Sequence, residues 1–410
     1  MTDTVVIVGA GHVAGQAVAS LRQGGFAGRL VLVGEEPYLP YQRPPLSKKF
    51  LAGELDMERL FLRHEHFYPE HGVELRLGTR AERIDRQRRQ VHLSGGDRLE
   101  YDRLLLAIGS QARYLHAPGA DLPGIFYLRN IEDVRRIQKR WAPGKRMVVI
   151  GGGYIGLEVA AVAVTHGLKV TVIEIADRLM ARTVAPAVSE FYEDAHRKAG
   201  VDVRCNTAVT EFRAAGEGLT VICDGHTELP ADLVIAGIGI LPNTLLADEG
   251  GLACENGILV DEHCRTSDPR VFAAGDCTNH PNSLLGRRLR LESVQNAQEQ
   301  AKTAAAAICG NPVPYAQIPW FWSDQYDLKL QIVGLATDYS AAVVRGNPAE
   351  RSFMVFYFDG DRLMAVDAVN SPREFMMSKK LVAQGARLAP DDVADVRIDF
   401  KTLAGHRGPG

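Results

Sequence analysis

Long apolar runs are missing from this chain. Although 46% of its 410 residues are hydrophobic, no stretch approaches the roughly 18 uncharged apolar residues that a membrane-spanning helix requires. A secretory leader is missing as well. The opening text, MTDTVVIVGAG, runs straight into a strand-like segment without a basic flank or a cleavage site, so a cytoplasmic protein is expected. Nor is there an excess of charge of one sign. Lys and Arg number 47 against 50 Asp and Glu, a net charge of −3, which gives no general attraction to nucleic acid. A charged partner must therefore be met by a local patch. The six cysteines (205, 223, 254, 264, 277 and 309) include no C-x-x-C pair and no cluster with histidine. That spacing argues against a zinc site, an iron–sulfur site or a disulfide framework, and it predicts buried free thiols and no metal.

What the chain does contain is a doubled pattern. It is too long for one ordinary core, so two or three domains are expected. TVVIVGA reads as a buried strand, VAGQAVASLRQGG as a helix with a glycine stop, and GRLVLVGEE as a second strand. RMVVIGGG, YIGLEVAAVAVTHG and KVTVIE repeat these elements further on. VELRLG, AERIDRQRRQVHLSGG and YDRLLLAIGS predict a small antiparallel layer and a return strand after the first copy. VDVRCNTAVTEF, LTVICDG and ADLVIAGIGI repeat that sequence after the second. The spacing predicts a helix from about Glu292 to Ile308. From PWFWSDQYDLKLQIVG onward the text changes to hairpin character, with a helix near 372–384, and LAGHRGPG reads as a frayed tail. The predicted fold class is α/β, with two Rossmann-like dinucleotide-binding domains, one inserted in the other, and a C-terminal α+β domain. The boundaries are 1–112 with 244–319 for the first, 113–243 for the second and 320–410 for the third.

Each copy carries the residues that dinucleotide binding needs. In the first, Gly9 permits the tight turn, Gly11 lets the backbone approach a pyrophosphate, Ala14 allows close helix packing and Glu35 can bond a ribose diol. The anion then sits at a helix N-terminus, where free N–H groups and the dipole favour it. Gly151, Gly153, Gly156 and Glu174 repeat the set. An acid at Glu174 accepts from a free 2′-hydroxyl and repels a 2′-phosphate, which favours NADH over NADPH. Two nucleotide loops point to FAD plus a nicotinamide. Asp276, after Gly275 in TSDPRVFAAGDC, is placed to take a ribityl hydroxyl of a flavin, or alternatively to cap the following helix.

The stretches RPPLSK (43–48), LLLAIGS (104–110), GGGYIGLEVAA (151–161), GIGILPN (237–243), TSDPRVFAAGD (266–276), RLESVQNAQEQA (290–301) and PWFWSDQYDLKLQIVG (319–334) extend the pattern along nearly the whole chain. With them the chain resembles the glutathione-reductase-like two-dinucleotide flavoproteins, and more narrowly the NADH-dependent ferredoxin reductases of bacterial oxygenase systems. The resemblance implies FAD contacts at Gly9, Gly11, Val13, Ala14, Glu35, Arg43, Lys48, Ala81, Gly109, Arg129, Asp276, Val294 and Trp320. It implies NAD contacts at Gly151, Gly153, Tyr154, Ile155, Gly156, Glu158, Glu174 and Gly239. Lys48 near the flavin ring and Glu158 near the nicotinamide are the implied catalytic pair, with Trp322 beside Trp320 on the exit route. Two positions depart from the family pattern: Ile108 stands where threonine is common, and Gln295 where proline is.

The region that holds a redox-active cysteine pair in the disulfide reductases of this fold reads GEEPYLPYQRPPLSK here, with no cysteine. Electrons must then leave for an external acceptor. The reading is an FAD-dependent NADH:ferredoxin oxidoreductase whose acidic [2Fe–2S] ferredoxin supplies a haem-thiolate, cytochrome P-450-type monooxygenase. The alternatives are the reductase of an arene dioxygenase ferredoxin or of rubredoxin and, in a different class, an NADH-responsive flavoprotein that signals by conformational change. A basic dock is expected at Arg287, Arg288 and Arg290, with Lys302, Lys379 and Lys380, on a monomer or weak dimer.

Overall fold

The computed structural model describes residues 3–283 and 285–405. The chain packs as two compact units, residues 1–43, 57–111 and 240–319 forming one, and 44–56, 112–239 and 320–410 the other. The text from residue 320 onward falls in the same compact unit as the second glycine loop. The expected frayed tail starts inside a short helix, Phe400–Gly405, and residues 406–410 lie outside the described ones.

Unit 1 is built on a parallel sheet ordered Val271–Ala273, Arg103–Leu106, Thr4–Val8, Arg29–Gly34, Val73–Leu77. Its inner strands are largely apolar runs because helices or a small sheet cover both faces, while the edge strand Val73–Leu77 alternates. Val5, Ile7, Leu30, Leu32 and Leu105 are buried in one core cluster, and Val6, Val31, Leu104 and Leu106 in another. The order reverses beside Thr4–Val8, the strand that feeds Gly9, and it is at such a reversal that open α/β sheets bind ligands. VELRLG, expected in the antiparallel layer, instead forms the parallel edge strand, with Leu30 opposite Val73. Only Ala81–Asp85, Gln90–Leu93 and Arg98–Glu100 form that layer. The open backbone edge of Arg29–Gly34 needs a hydrogen-bonded neighbour on this side, and that need outweighs the alternating pattern of the segment itself.

Unit 2 repeats the scheme with the order Asp202–Arg204, Lys169–Ile173, Arg146–Ile150, Leu233–Ala236, Ile125–Tyr127. It adds a five-stranded antiparallel sheet from Trp320 to Val369, followed by the helix Pro372–Ala383. The helix read from Glu292 runs from Val294 to Ile308 in unit 1. The cysteines are free, but only Cys223, Cys264 and Cys277 are buried. Cys205, Cys254 and Cys309 are half-buried, at the margins of their elements. Among the described residues no helix is long and apolar enough to cross a membrane.

The added sheet buries Asp367 completely, with the Tyr357 hydroxyl donating to its Oδ2 at 2.5 Å and no partner at Oδ1 among the described residues. Burial pushes this carboxyl up to about 7, the Tyr357 bond opposing. The folded state therefore holds a proton that the unfolded chain releases, and stability falls as pH rises from about 3.8 through about 7. Asp367→Asn keeps an acceptor for Tyr357 and removes the charge. It is expected to raise Tm by at least about 2 °C near pH 8 and to match the parent near pH 4. Equal differences at both pH values would rule out the titration.

Candidate active site

In unit 1 the first loop leaves Thr4–Val8 at Gly9, whose φ is +110° and whose Cβ would lie 2.1 Å from the Ala107 carbonyl oxygen. Only glycine fits there. Gly11 caps the helix His12–Gln23 without a side-chain cap bond, and nothing lies within 4 Å of where its Cβ would stand. The uncapped N–H groups and the clear space form a cradle for a pyrophosphate. Ala14 and Val13 are buried behind it. Val13 packs under the turn that carries Asp276, since a Cβ at Gly275 would come within 2.7 Å of it. Gln300 braces the same turn, its Oε1 accepting from the Gly275 N–H at 2.7 Å and the Thr278 hydroxyl at 2.9 Å. The Ser110 hydroxyl donates to Asp276 Oδ2 at 2.9 Å.

Of the two acids that end the second strand, Glu35 is 70% exposed, with Arg80 at 3.8 Å. Glu36 turns to the Tyr41 hydroxyl at 2.6 Å and Arg43 at 2.7 Å. Burial alone would lower the Arg43 pKa, but Tyr41, Glu36 and Asp276 outweigh it and raise it. Ala81 begins the small antiparallel sheet, and Gly109 (φ +60°) accepts from the Asn243 N–H at 3.0 Å. Val294 opens the helix capped by Ser293, so the unusual Gln295 at its second position needs no proline to start the turn. Ile108 packs its side chain into the core, and its carbonyl accepts from Asn243 Nδ2 at 2.8 Å.

Unit 2 repeats the cradle. Gly151 has φ +104° and a would-be Cβ 2.5 Å from the Gly237 oxygen, while Gly153 caps the helix Tyr154–Thr165 with clear space around it. Gly156 lets the helix close onto the loop, where a Cβ would meet the Gly151 oxygen at 2.2 Å. Glu174 accepts from the Gly152 N–H at 2.7 Å and the Ala176 N–H at 2.8 Å. It shapes the loop while keeping lone pairs for a ribose. Ile155 is exposed, the Tyr154 ring packs on Phe321 at 4.8 Å, and Gly239 has φ +104°.

One turn into that helix stands Glu158, 3% exposed. Lys48 Nζ donates to its Oε2 at 2.7 Å, the Ser47 hydroxyl to the same oxygen at 2.5 Å, and the Ser323 hydroxyl to Oε1 at 2.7 Å. The Lys48–Glu158 pair expected from the sequence is thus formed. Sequence reasoning missed the two serines, and it missed Glu36 and Gln300 in unit 1. Ser47 lay within the quoted RPPLSK, and Ser323 at a buried position of PWFWSDQY. Trp320 lies 5.5 Å from Trp322 and beneath the Lys379 ammonium at 4.5 Å. The Arg129 N–H donates to Asp133, which forms the N-terminal box of the helix Ile131–Gln138.

The expected basic dock is largely engaged within its own unit. Arg288 donates to the carbonyls of Val260 and Asn279, and Arg290 pairs with Glu292 at 2.5 Å. Arg287 is exposed on the same strand, while Lys302 pairs with Glu299.

Comparison with known proteins agrees with this geometry. Residues 3–301 match the family described as pyridine nucleotide-disulphide oxidoreductase, and residues 320–404 the reductase C-terminal family. Putidaredoxin reductase of Pseudomonas putida is 44% identical over 98% of this chain and 96% of its own. The ferredoxin reductase of the CYP199A2 system of Rhodopseudomonas palustris superposes with a TM-score of 0.95, at 41% identity over 98% of this chain and 100% of that one. The covalent putidaredoxin reductase–putidaredoxin complex gives 0.94, at 44% identity over 98% of both chains. The fold and site define a two-dinucleotide flavoprotein oxidoreductase. The chain belongs to the pyridine nucleotide-disulphide oxidoreductase family, within its ferredoxin and rubredoxin reductases, and uses FAD and NADH.

The two glycines of the first loop should separate by experiment. Gly11→Ala is expected to cost at most about 1 kcal/mol of FAD-free stability while FAD retention, read from flavin absorbance, falls roughly tenfold or more. Gly9→Ala, which drives a Cβ into backbone, should destabilise the FAD-free protein itself by about 3 kcal/mol. Equal loss of FAD-free stability in both variants would make Gly11 a packing residue.

Proposed function

We propose that this chain accepts hydride from NADH and delivers electrons one at a time to an acidic [2Fe–2S] ferredoxin that supplies a haem-thiolate monooxygenase in the cytoplasm. The observation that carries this reading is the lack of an internal thiol acceptor. Residues 35–48 contain no cysteine, and burial raises all six thiols elsewhere above their ordinary range, which suppresses the reactive thiolate. The acceptor must be external. Two solved relatives support its nature, one captured with putidaredoxin and one a ferredoxin reductase of a CYP199A2 system.

Bound FAD supplies the conversion between two-electron and one-electron transfer, and the chain's residues bind, orient and balance charge. Gly9, Gly11 and Ala14 would hold the FAD pyrophosphate, while Asp276, bonded by Ser110 on a turn that Gln300 braces, would take a ribityl hydroxyl. Gly151, Gly153 and Gly156 receive NADH, and Glu174 selects its free ribose. We assign Lys48 and Trp320 to the flavin and Glu158 to the nicotinamide. Arg287, exposed on its strand, steers an acidic carrier, raising association rate more than affinity.

Stopped-flow reduction by NADH and NADPH, followed by mixing with [2Fe–2S] ferredoxins and a rubredoxin, tests the reading. Rapid reduction of a ferredoxin is expected, with a second-order rate that falls as salt rises. Slow transfer to every carrier would instead favour the signalling flavoprotein. Glu174→Gln is expected to shift the NADH to NADPH preference by about tenfold toward NADPH, the scale of one charge-assisted hydrogen bond. Lys48→Ala is expected to slow flavin reduction about tenfold or more by leaving the buried Glu158 charge unbalanced. Unchanged reduction would remove Lys48 from the site.

A further inference from the structure

The strand Trp320–Gln325 turns two polar side chains inward, Ser323 and Gln325, where alternation of a half-buried strand would normally place apolar ones. Both are essentially without exposure. Gln325 Nε2 lies 3.2 Å from Ser323 Oγ, and Gln325 Oε1 lies 2.8 Å from His196 Nε2. His196, wholly buried on the helix Pro186–Lys198, has its Nδ1 2.9 Å from the Tyr326 hydroxyl. With Ser323 on Glu158 at 2.7 Å, four hydrogen bonds run in line from Tyr326 to Glu158.

Elementary donor counting fixes their direction. Ser323 has one hydroxyl proton, and the Glu158 carboxylate, paired with Lys48, can only accept, so that proton points to Glu158. Ser323 Oγ must then accept from the Gln325 amide NH₂, which leaves the amide oxygen for His196. His196 Nε2 must therefore carry the ring proton, and its bare Nδ1 accepts from Tyr326. Burial, opposed only by the Gln325 bond, holds the His196 pKa below its ordinary value, so the ring stays neutral. The opposite polarity, with the amide flipped and Nδ1 protonated, is self-consistent only if Glu158 is itself protonated. A second feature points the same way. Tyr326, in the two-residue turn after the strand, has φ +56°, a left-handed conformation that costs a non-glycine residue. Its ring packs on His196 at 5.1 Å.

We propose that Ser323, Gln325 and His196 are positioning residues for hydride transfer, forming with Tyr326 a chain of donors all aimed at Glu158. The chain fixes the orientation of that carboxylate beside Lys48. The inference rests on the assignment of Lys48 and Glu158 to the reacting rings. The titratable groups around it are Lys48 on Glu158, Tyr326 on His196, and Tyr154, Tyr192, Asp324 and Asp367, whose fields overlap with that of Glu158.

Two measurements on the FAD-loaded full chain test it. Nitrogen-15 NMR of histidine-labelled protein, with the His196 signals identified by their loss in His196→Gln, is expected to show a protonated Nε2 and a bare Nδ1 throughout the neutral range. An Nδ1–H tautomer or a charged ring would overturn the polarity and with it the proposal. In stopped-flow work, Ser323→Ala and Gln325→Leu are expected to keep FAD content and the apparent NADH Kd within about twofold. Hydride transfer should slow roughly tenfold, the scale of one hydrogen bond to a charged group. Ser323→Thr should restore the parental rate. A parental rate in Ser323→Ala, while Glu158→Gln is slowed, would overturn the positioning role and leave the site reading standing. Parental rates in Glu158→Gln as well would overturn both, even with the Nε2–H tautomer present.

Discussion

A carboxylate with 3% exposure is tolerable only if its charge is met on the spot. Glu158 satisfies that condition with one cation and two hydroxyls drawn from three places in unit 2: the turn at Pro44–Ser47, the neighbouring Lys48, and the strand at 320–325. Much of unit 2 follows from the constraint. The short segment 44–56 packs with the second glycine loop although the chain on either side belongs to unit 1. The first strand of the added sheet carries serine where an apolar residue would otherwise complete the core. Removing any one donor leaves the buried anion less fully compensated, so the elements depend on one another.

The two glycine loops answer one physical demand in the same way. A pyrophosphate must be approached by backbone at an uncapped helix start, and in both loops the first glycine stands where a Cβ would strike a carbonyl, while the capping glycine leaves clear space. They diverge in how the carboxylate beyond the loop is used. Glu174 folds back onto its own loop through two backbone N–H groups. The corresponding Glu35 is left in solvent, and its neighbour Glu36 is taken into a network with Tyr41 and Arg43. The first loop is supported instead from a distant turn, where Val13 packs under Gly275 and Gln300 holds Gly275 and Thr278.

These differences explain how much could be read from the sequence. The loops were legible because glycine is dictated locally, by sterics within a few residues. The Lys48–Glu158 pair was reached only through resemblance, since the partners lie 110 positions apart. Ser323, 165 positions from Glu158, gives no local signal at all. VELRLG was misplaced because its alternating pattern suits an antiparallel layer, whereas the exposed edge of Arg29–Gly34 claims it as a parallel neighbour. The arginines at 288 and 290 looked like a free patch, but backbone carbonyls and Glu292 had already engaged them. Charge can be counted from sequence; whether it is already spoken for cannot.

The strand Trp320–Gln325 shows how one short segment can present two chemically different faces. Side chains of a strand alternate between faces, so W-x-W and F-x-S-x-Q are sorted without any further device. Phe321, Ser323 and Gln325 face inward to Tyr154, Glu158 and His196 respectively. Trp320 and Trp322 face the other way and lie against each other, with Phe375 and the Lys379 ammonium beside Trp320. One face thus meets a buried carboxylate and a buried histidine, and the other carries two indoles with a cation beside Trp320. A shift of one residue in register would exchange the faces, placing indoles against a carboxylate and an amide in solvent. The pairing of all six residues with Leu328–Val333 prevents that slip. Register is therefore as much a part of this site as any of its side chains.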